Sequence, residues 1–365
     1  MYISSIELEN FRNYKSETVN FHRDVNIFTG ENAQGKTNLL ESIYMTSMGR
    51  SFRTPREKEL IRFEEKACRI KAFFEREEGP CSVEIAIGKE GKKGIRADNI
   101  KIKKLSDLFE NVSVIVFSPE DLRIVKDEPE KRRNFIDREL SQLRYSYLDD
   151  IIAYKKILNH RNAFLKSKKE DEDEIYIWDR GIAEKGADII RKRTEFIKRL
   201  DEISRGIHKK ITSGSEELKI KYDCNINCAG QEDPAGHILE VLSRDRKKDI
   251  YYGNTGRGPH KDDLELFING VNIRKYGSQG QQKTAALSMK MAEIALIEKE
   301  KYEKPILLLD DVFSELDEER QKQLISSLDD TQLIITTTEL SPAIKENLRS
   351  GKEFAVNNGN ILQKA

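Results

Sequence analysis

The residues best suited to chemistry form a glycine-rich loop near the start of the chain. The phosphate-loop pattern G-x-x-x-x-G-K-[ST] is matched in full by Gly30, Glu31, Asn32, Ala33, Gln34, Gly35, Lys36 and Thr37. Glycines let backbone N–H groups fold around phosphates, and the N-terminus of the following helix adds partial positive charge. Lys36 can reach the β- and γ-phosphates, and the Thr37 hydroxyl can ligate Mg²⁺. The loop therefore predicts a site for ATP with Mg²⁺.

A pair of acids much later in the chain fits the same chemistry. Asp310 and Asp311 follow the apolar run 306–309. A buried parallel strand beside the phosphate loop would deliver Asp310 to Mg²⁺ and Asp311 to the attacking water. Two acids at a strand end can also cap the next helix, but their pairing with a phosphate loop favours catalysis. We expect Lys36, Asp310 and Asp311 to be catalytic, and Thr37 and Asp310 to be the metal ligands.

A third segment indicates which class of phosphate-loop ATPase this is. Ser278, Gly280 and Gln281 fit the S-G-G-Q core of the ABC signature, with Gln279 in place of one glycine. A serine and small residues at a helix N-terminus form a second anion-binding site, although they can also be a simple cap. In ABC enzymes this site reads the γ-phosphate held by the other subunit. Residues 314–317, Ser-Glu-Leu-Asp, resemble the D-loop of the same class, so the order of the motifs favours an ABC-type ATPase.

The hydrophobic pattern predicts the elements that position these motifs. Alternation predicts strands before Thr29, and a helix is expected from Lys36 to about Met48. From Asp121, spacings of three and four predict helices to about Ile211, interrupted at 167–174 by a charged loop at the tip of a helical hairpin. Further strands are predicted within 67–117 (including 100–105), at 219–226, 264–270, 306–310 and 333–338, and a long helix near 281–300.

These elements predict an α/β fold. We expect an ABC-ATPase head, which is a P-loop NTPase, built from residues 1–120 and 212–365. Residues 121–211 are expected to form a mainly helical inserted lobe with a short helical arm.

Charge and composition limit the classes of partner. Lys+Arg and Asp+Glu both number 64, so the chain has no uniformly basic coat and a DNA surface must come from local clusters. Each such basic cluster can also be a solvated face. Arg50 and Arg53 can instead serve the nucleotide or a dimer interface. No stretch of 18 apolar residues occurs and the N-terminus lacks a signal-peptide core, so we expect a cytoplasmic protein without a membrane partner. The candidate DNA contacts are Arg50, Arg53, Lys131, Arg132, Arg133, Arg191 and Arg193.

The chain closely resembles the RecF family of bacterial recombinational-repair ATPases over nearly its whole length. The resemblance is carried by IELENFRNY and VNIFTGENAQGKTNLLESIYMTSMGRSFRT near the start, and by FSPEDLRIVKDEPEKRRNFID, GPHKDDLELFING, YGSQGQQKT and LLLDDVFSELD further on. Two departures stand out. Asp127 and Glu128 precede Pro129 where the family usually has Gly and a small residue, and 336–338 are threonines where ABC transporters carry a histidine.

The resemblance implies a function that the residue spacing alone does not. It implies binding at junctions of single-strand gaps with duplex DNA, ATP-driven dimerisation and slow, DNA-stimulated ATP hydrolysis. It also implies cooperation with RecR, and with RecO, in loading RecA onto SSB-coated DNA.

Three other classes fit the residues less well. A small-molecule kinase needs neither signature nor D-loop, and an ABC transporter cassette would associate with membrane subunits. An SMC-type ATPase needs long coiled-coil arms, whereas 141–211 allow a hairpin of at most about 50 Å per helix at 1.5 Å per residue.

Overall fold

The computed structural model describes residues 1–109, 111–167, 171–326, 328, 330–339, 348 and 350–364. The chain forms two compact units. The first unit is Met1–Leu122 with Lys290–Ala365, and the second unit is Arg123–Met289.

The first unit begins with strands and a helix in the order that the hydrophobic pattern predicts. The helix α1 has the bounds expected for it. These elements are β1 Tyr2–Phe11, β2 Tyr14–Asn20, β3 Val25–Thr29, α1 Lys36–Met48, β4 Ala67–Glu75, β5 Cys81–Gly88, β6 Lys93–Ala97, β7 Ile100–Lys101, α2 Leu105–Phe109 and β8 Val114–Phe117.

The second unit contains the longest helices. Its elements are α3 Pro129–Leu143, α4 Tyr145–Ser167, α5 Glu172–Ile211, β9 Leu218–Asp223, α6 Pro234–Tyr252, β10 Asp263–Ile268, β11 Val271–Asn272 and α7 Ile273–Tyr276. The chain then continues through α8 Gln279–Lys301, β12 Ile306–Asp310, α9 Glu318–Ser326, β13 Leu333–Thr337, β14 Gly351–Asn357 and β15 Asn360–Gln363.

Two sheets build the first unit. One is antiparallel with the strand order β2-β1-β4-β5-β6-β7, and the other has the order β15-β14-β3-β13-β12-β8. In the second sheet β14, β3, β13, β12 and β8 are parallel, and β15 adds an antiparallel edge. Helix α1 packs against strands of both sheets and is buried along most of its length, so the core of this unit lies around the helix that follows the phosphate loop.

The strand that ends in Asp310 was predicted to be a buried parallel strand beside the phosphate loop. Strand β12 fits this prediction, but one strand separates it from β3, which leads to the loop. In the structure β13 lies between β12 and β3 and pairs in parallel with both. The residues of β13 therefore reach the same sheet edge as the two motifs, because parallel strands end on one side of a sheet.

A second difference concerns residues 100–105, which were expected to form a strand. Only Ile100–Lys101 are extended, and α2 begins at Leu105. The strand is short because the chain turns inward there, where Leu108 of α2 is fully buried.

The second unit is less purely helical than expected. Helices α4 and α5 pack as the predicted hairpin, and the predicted tip includes residues 168–170, which lie outside the described residues. At 40 residues, α5 spans about 60 Å, which is longer than the estimate from sequence. The three-stranded antiparallel sheet β11-β10-β9 belongs to this unit, because β9 packs on α5 and β10 packs on α3.

The division of the chain therefore differs from the predicted domain bounds. The first boundary, after Leu122, lies close to the expected one after residue 120. Residues 212–289 were assigned to the head but lie in the second unit. The physical reason is the packing of β9 on α5 and of β10 on α3, which a reading of periodicity along the chain does not reveal.

Helices able to cross a membrane are absent from the part of the chain that the structure describes.

Candidate nucleotide site

The phosphate loop joins β3 to α1 and depends on glycine at both ends. Gly30 has φ 157°, and a Cβ added there would lie 2.4 Å from the carbonyl oxygen of Val356. Gly35 has φ 120°, and its Cβ would lie 2.6 Å from Nδ2 of Asn13. A side chain at either position would collide with neighbouring strands or turns, so the close approach of backbone segments requires glycine.

Two neighbouring turns hold the middle of the loop. The Nδ2 group of Asn13 donates to the carbonyl oxygen of Gln34 at 2.8 Å, and the hydroxyl of Tyr14 donates to that of Gly35 at 2.9 Å. From the other side, the backbone N–H of Asn358 donates to Oε1 of Gln34 at 2.6 Å. The loop is thus fixed by its surroundings, and the Gln34 side chain serves that purpose.

Lys36 is the first residue of α1, and its side chain turns back toward the start of the loop. Its Nζ donates to the carbonyl oxygens of Gly30 at 2.5 Å and Glu31 at 2.8 Å. Burial lowers the pKa of Lys36, while the charges of Asp311 and Asp310 act in the opposite direction. These two hydrogen bonds keep the ammonium group of Lys36 within the loop. A bound phosphate could replace the two carbonyl oxygens as its hydrogen-bond acceptor.

Asp310 links the phosphate loop to the acidic strand. The hydroxyl of Thr37 donates to its Oδ1 at 2.9 Å, and the hydroxyl of Thr336, on the intervening β13, donates to the same atom at 2.8 Å. Burial raises the pKa of Asp310, and the hydrogen bonds from Thr336 and Thr37 oppose that shift. A hydroxyl and a carboxylate oxygen side by side are ligands that suit Mg²⁺, which usually takes one or two carboxylates and completes its shell with phosphates and water.

Thr336 was noted in the sequence only as standing where ABC transporters carry a histidine. The structure brings it to Asp310 through the register Asp310↔Thr336 of β12 with β13. The threonines that end the run LIITT, directly after three apolar residues, were the signal that could have drawn attention to it.

Asp311 differs from Asp310 in its backbone conformation and in the hydrogen bonds of its carboxylate. Its backbone is left-handed, with φ 53° and ψ 26°, and its side chain makes no capping hydrogen bond to the turn that follows. Its Oδ1 is buried without a hydrogen-bond partner among the described residues. Burial raises the pKa of Asp311, and the charge of Lys36 opposes the shift. Backbone strain and an unsatisfied buried oxygen are typical of functional sites, and the helix-cap interpretation finds no support.

The signature-like segment begins α8 as a reciprocal cap. The N–H of Ser278 donates to Oε1 of Gln281 at 3.0 Å, and the N–H of Gln281 donates to the Ser278 hydroxyl at 3.2 Å. Nε2 of Gln281 also donates to Glu216 at 2.9 Å. Ser278 and Gln281 therefore do cap this helix, and Ser278 is exposed at the helix N-terminus. Ser278, Gly280 and Gln281 belong to the second unit, whereas Lys36 and Asp310 belong to the first.

The cations after α1 have different environments. Arg50 is exposed, while Arg53 donates to Oδ1 of Asn38 at 2.7 Å and lies 3.5 Å from Glu41. Glu41 is fully buried and also accepts two hydrogen bonds from Arg12, at 2.7 and 2.8 Å. Sequence reasoning missed this cluster, although Glu41, the one charged residue of α1 after Lys36, was a visible signal.

Arg132 is not available for DNA, contrary to the prediction. Its side chain is 1% exposed and forms a two-pronged ion pair with Asp263, at 2.5 and 2.9 Å. It also donates to the carbonyl oxygen of Asp127 at 2.6 Å, in the turn where the sequence departs from the RecF pattern. Arg133 is partly buried and donates to the carbonyl oxygen of Asp262, and Lys131 is exposed. Successive residues of α3 face different directions, so Arg132 is buried in the second unit while Lys131 is exposed.

Arg193 is likewise buried, which also contradicts the prediction. Its guanidinium contacts Asp137 at 2.7 Å, Asp262 at 3.2 Å and the Tyr147 hydroxyl at 2.9 Å. Nearby charges raise the pKa of Arg193 against the effect of burial. Arg191, two residues earlier and so on the opposite side of α5, is exposed and pairs with Asp188 at 3.1 Å.

Comparison with known proteins agrees with this geometry. The sequence family described as RecF/RecN/SMC N terminal domain matches residues 2–350. The DNA replication and repair protein RecF of Clostridium tetani is 44% identical over 368 residues, covering all of both chains. This chain belongs to the RecF family. RecF of Clostridium acetobutylicum is 42% identical over 364 residues, again covering all of both chains.

Solved structures place the fold in the same family. A structure described as the recombination mediator protein RecF with ATPrS in the RecFOR pathway matches with a TM-score of 0.93 at 34% identity, covering 100% of this chain and 98% of that one. An SMC head bound to the C-terminal winged-helix domain of ScpA matches with a TM-score of 0.57 at 16% identity, covering 100% and 98%, which shows the fold alone. The predicted fold class, an ABC-ATPase head with a helical lobe, is confirmed.

Proposed function

We propose that this protein is an ATP-dependent DNA-binding protein of recombinational repair. The observation that carries the proposal is the convergence of Thr37, at the start of α1, with Asp310 and Asp311, at the carboxyl end of β12, on one edge of the parallel sheet and next to a complete phosphate loop. In open α/β sheets this edge is where nucleotides bind.

The residues present fit ATP and Mg²⁺. Residues 30–37 would hold the triphosphate, and Thr37 with Asp310 would hold the metal, which supplies charge neutralisation at the phosphate oxygens when bound. Lys36 would exchange its two carbonyl partners for phosphate oxygens. Asp311, whose Oδ1 has no partner among the described residues, would accept a hydrogen bond from the attacking water and orient it. The proposed activity is slow hydrolysis of ATP to ADP and phosphate that DNA stimulates.

The signature-like segment supports a site shared between two copies of the chain. Ser278 and Gly280 stand at the exposed N-terminus of α8, which favours an anion through its partial positive charge. We assign Ser278, Gly280 and Gln281 to the γ-phosphate of an ATP held by Lys36 of a second copy. ATP would then join two copies, and loss of the γ-phosphate would loosen them.

The DNA function follows from family membership together with the exposed cations. A relative solved with ATPrS is described as a recombination mediator in the RecFOR pathway. For this chain we propose recognition of junctions between single-strand gaps and duplex DNA, cooperation with RecR and RecO, and assistance in loading RecA onto SSB-coated DNA in the cytoplasm. Of the predicted DNA contacts, Arg50, Arg53, Lys131, Arg133 and Arg191 remain candidates.

Mass measurement by light scattering tests the proposal. The 42.2 kDa chain should be monomeric alone and with ADP, and should double in mass with ATP, Mg²⁺ and gapped DNA. Lys36→Met is the matched control, because it leaves the fold and removes the phosphate contact. An ATP-independent dimer, or a monomer under all conditions, would refute ATP-driven dimerisation.

A further inference from the structure

The exposed face of the antiparallel sheet carries an ordered row of charges. Five residues are direct cross-strand neighbours on β1, β4, β5, β6 and β7, in the order Glu7, Lys71, Glu84, Arg96 and Lys101. The sign alternates across the first four strands, as expected of a stable sheet. At the edge the alternation fails, because Arg96 and Lys101 face each other. Like charges directly opposite one another destabilise a strand pair.

Ion pairs compensate the acidic residues on β1 and β5, but these ion pairs do not include Arg96 or Lys101. Arg69 on β4 contacts Glu84 at 2.7 Å, Glu9 at 2.8 Å and Glu7 at 3.7 Å. The hydrogen bond from Arg69 holds the pKa of Glu84 below its usual range. Glu84, the cross-strand neighbour of Arg96, is therefore shared: its hydrogen bond goes to Arg69, and the charge of Arg96 contributes less to lowering its pKa.

Three other acids near this edge already take part in hydrogen bonds or ion pairs. Asp98, in the β6–β7 turn, accepts a hydrogen bond from the N–H of Ser82 at 2.7 Å. Glu57 is paired with Lys93, and Glu90 lies 3.2 Å from Lys92. We call Arg96, Lys101, Lys103 and Lys104 the basic edge. All four are exposed, and within the described residues none of them forms an ion pair.

We propose that the basic edge binds the phosphate backbone of duplex DNA. This deepens the proposed function, on which it rests, by naming a DNA-binding surface that the motifs of the family did not indicate. A polyanion relieves the repulsion between Arg96 and Lys101, and neutralising phosphates releases condensed counterions. Three of the four cations are lysines, which contact phosphates as point charges and do not select bases.

An acidic protein segment fits this edge less well. A peptide that added a strand would need a ladder of free backbone groups, but β7 is only two residues long. An apolar anchor would need a pocket, whereas Ile100, the large apolar residue at this turn, is 72% exposed. The surface offers exposed charges and no extended strand, which favours a backbone of regularly spaced phosphates.

The test compares the salt dependence of duplex binding in two variants of equal charge. Lys101→Gln, Lys103→Gln and Lys104→Gln together remove three cations of the basic edge. The control replaces Lys209, Lys210 and Lys248, which are exposed lysines of the second unit, with Gln. Binding of a fluorescent duplex is followed by anisotropy between 50 and 200 mM salt, with ATP binding as the check of folding.

The log–log slope should become shallower by about 2.7 in the first variant, at about 0.9 per phosphate contact, and should change less in the control. Equal slopes in wild type and the first variant would overturn the assignment while leaving DNA binding intact. Loss of binding to poly-glutamate without loss of DNA binding would assign the edge to an acidic protein instead. If wild-type protein binds no duplex at all, the proposed function itself fails, together with this inference.

Protection from acetylation provides a second measurement that does not depend on a folded variant. In wild-type protein, duplex DNA should protect Lys101, Lys103 and Lys104 but not Lys209. Equal modification of these lysines with and without DNA would contradict the proposal.

Discussion

The hydroxyl of Thr37 donates a 2.9 Å hydrogen bond to Oδ1 of Asp310, a residue 273 positions later in the chain. This contact joins the two halves of the candidate nucleotide site inside one unit. Thr336 donates to the same oxygen from the strand between them, so both hydroxyls stabilise the charged form of one buried carboxylate.

Replacing Thr336 with Val should change the pH dependence of hydrolysis. The hydrogen bond from Thr336 opposes the upward shift that burial gives to the pKa of Asp310, so its loss should raise that pKa further. Asp310 must be ionised to hold Mg²⁺, and the acid limb of the rate profile should therefore move to higher pH. Thr336→Ser keeps a hydroxyl and should restore the profile. Identical profiles for the Val variant and wild type would contradict this role of Thr336.

Asp311→Asn should separate nucleotide binding from hydrolysis. The amide has the size of the carboxylate but cannot accept a proton, so the hydrolysis rate should fall by about 10²–10⁴-fold. Retained ATP should be detectable by filtration, and phosphate release should be measured in parallel. Glu319→Gln, which alters an exposed acid of α9, is the control and should hydrolyse at the wild-type rate. Parental turnover in Asp311→Asn would show that another group orients the water.

Ser278→Arg tests the shared site. The new cation would occupy the helix N-terminus where we expect the partner's γ-phosphate, while the phosphate loop stays unchanged. This variant should bind ATP, remain monomeric in sedimentation with ATP and Mg²⁺, and hydrolyse poorly.

A mixture with Lys36→Met extends this test. The mixed dimer has at most one competent site, formed by Lys36 of the Ser278→Arg chain and Ser278 of the Lys36→Met chain. Partial activity should therefore appear only on mixing. Stable homodimers of Ser278→Arg with normal turnover would refute the shared site.

Neutralising Arg132 should lower the stability of the protein far more than neutralising Lys131. Arg132→Met leaves Asp263 and the carbonyl oxygen of Asp127 without their buried partner, and breaking such a pair should lower the free energy of unfolding by about 3–5 kcal/mol. Lys131→Gln alters an exposed side chain and should change it by less than about 0.5 kcal/mol. Denaturant titration measures both values. Equal stabilities would mean that the Arg132 ion pair contributes nothing.

His260 should make the second unit sensitive to acid. Burial lowers its pKa to about 4, with Lys261, Arg133 and Arg161 adding to the shift and the carbonyl of Thr255 opposing it. Between pH 6.5 and 4 the unfolded chain therefore binds more protons than the folded one, so stability is lost as the pH falls through this window. The loss should reach about 3 kcal/mol.

His260→Gln provides the comparison for this titration. Glutamine can keep hydrogen bonds to the Tyr154 hydroxyl and the Thr255 carbonyl, which the two ring nitrogens contact at 2.6 and 2.9 Å. Because it does not titrate, the variant should lose less stability than wild type between pH 6.5 and 4, as measured by thermal unfolding. Parallel stability curves would show that another group controls the acid sensitivity.

The sequence by itself determined the chemistry of the phosphate loop. Eight consecutive residues from Gly30 to Thr37 carry it, and the bounds of α1 followed from the same local pattern. This succeeds because phosphates are bound by successive backbone N–H groups and by the helix that continues from them, so all the necessary atoms are neighbours in the chain. The acid pair was predictable for a similar reason, since an apolar run ending in two acids specifies a buried strand and its end.

Only the tertiary structure decided which strand lies beside which, and therefore which polar groups meet. It placed β13 between β3 and β12, and with it brought Thr336 to Asp310. It also buried Arg132 and left Lys131 exposed, although the sequence shows both as members of one basic cluster. Cross-strand register and the direction in which a helix faces depend on packing between distant segments. Burial, which decides whether a cation is an ion-pair partner or a DNA contact, is a property of that packing.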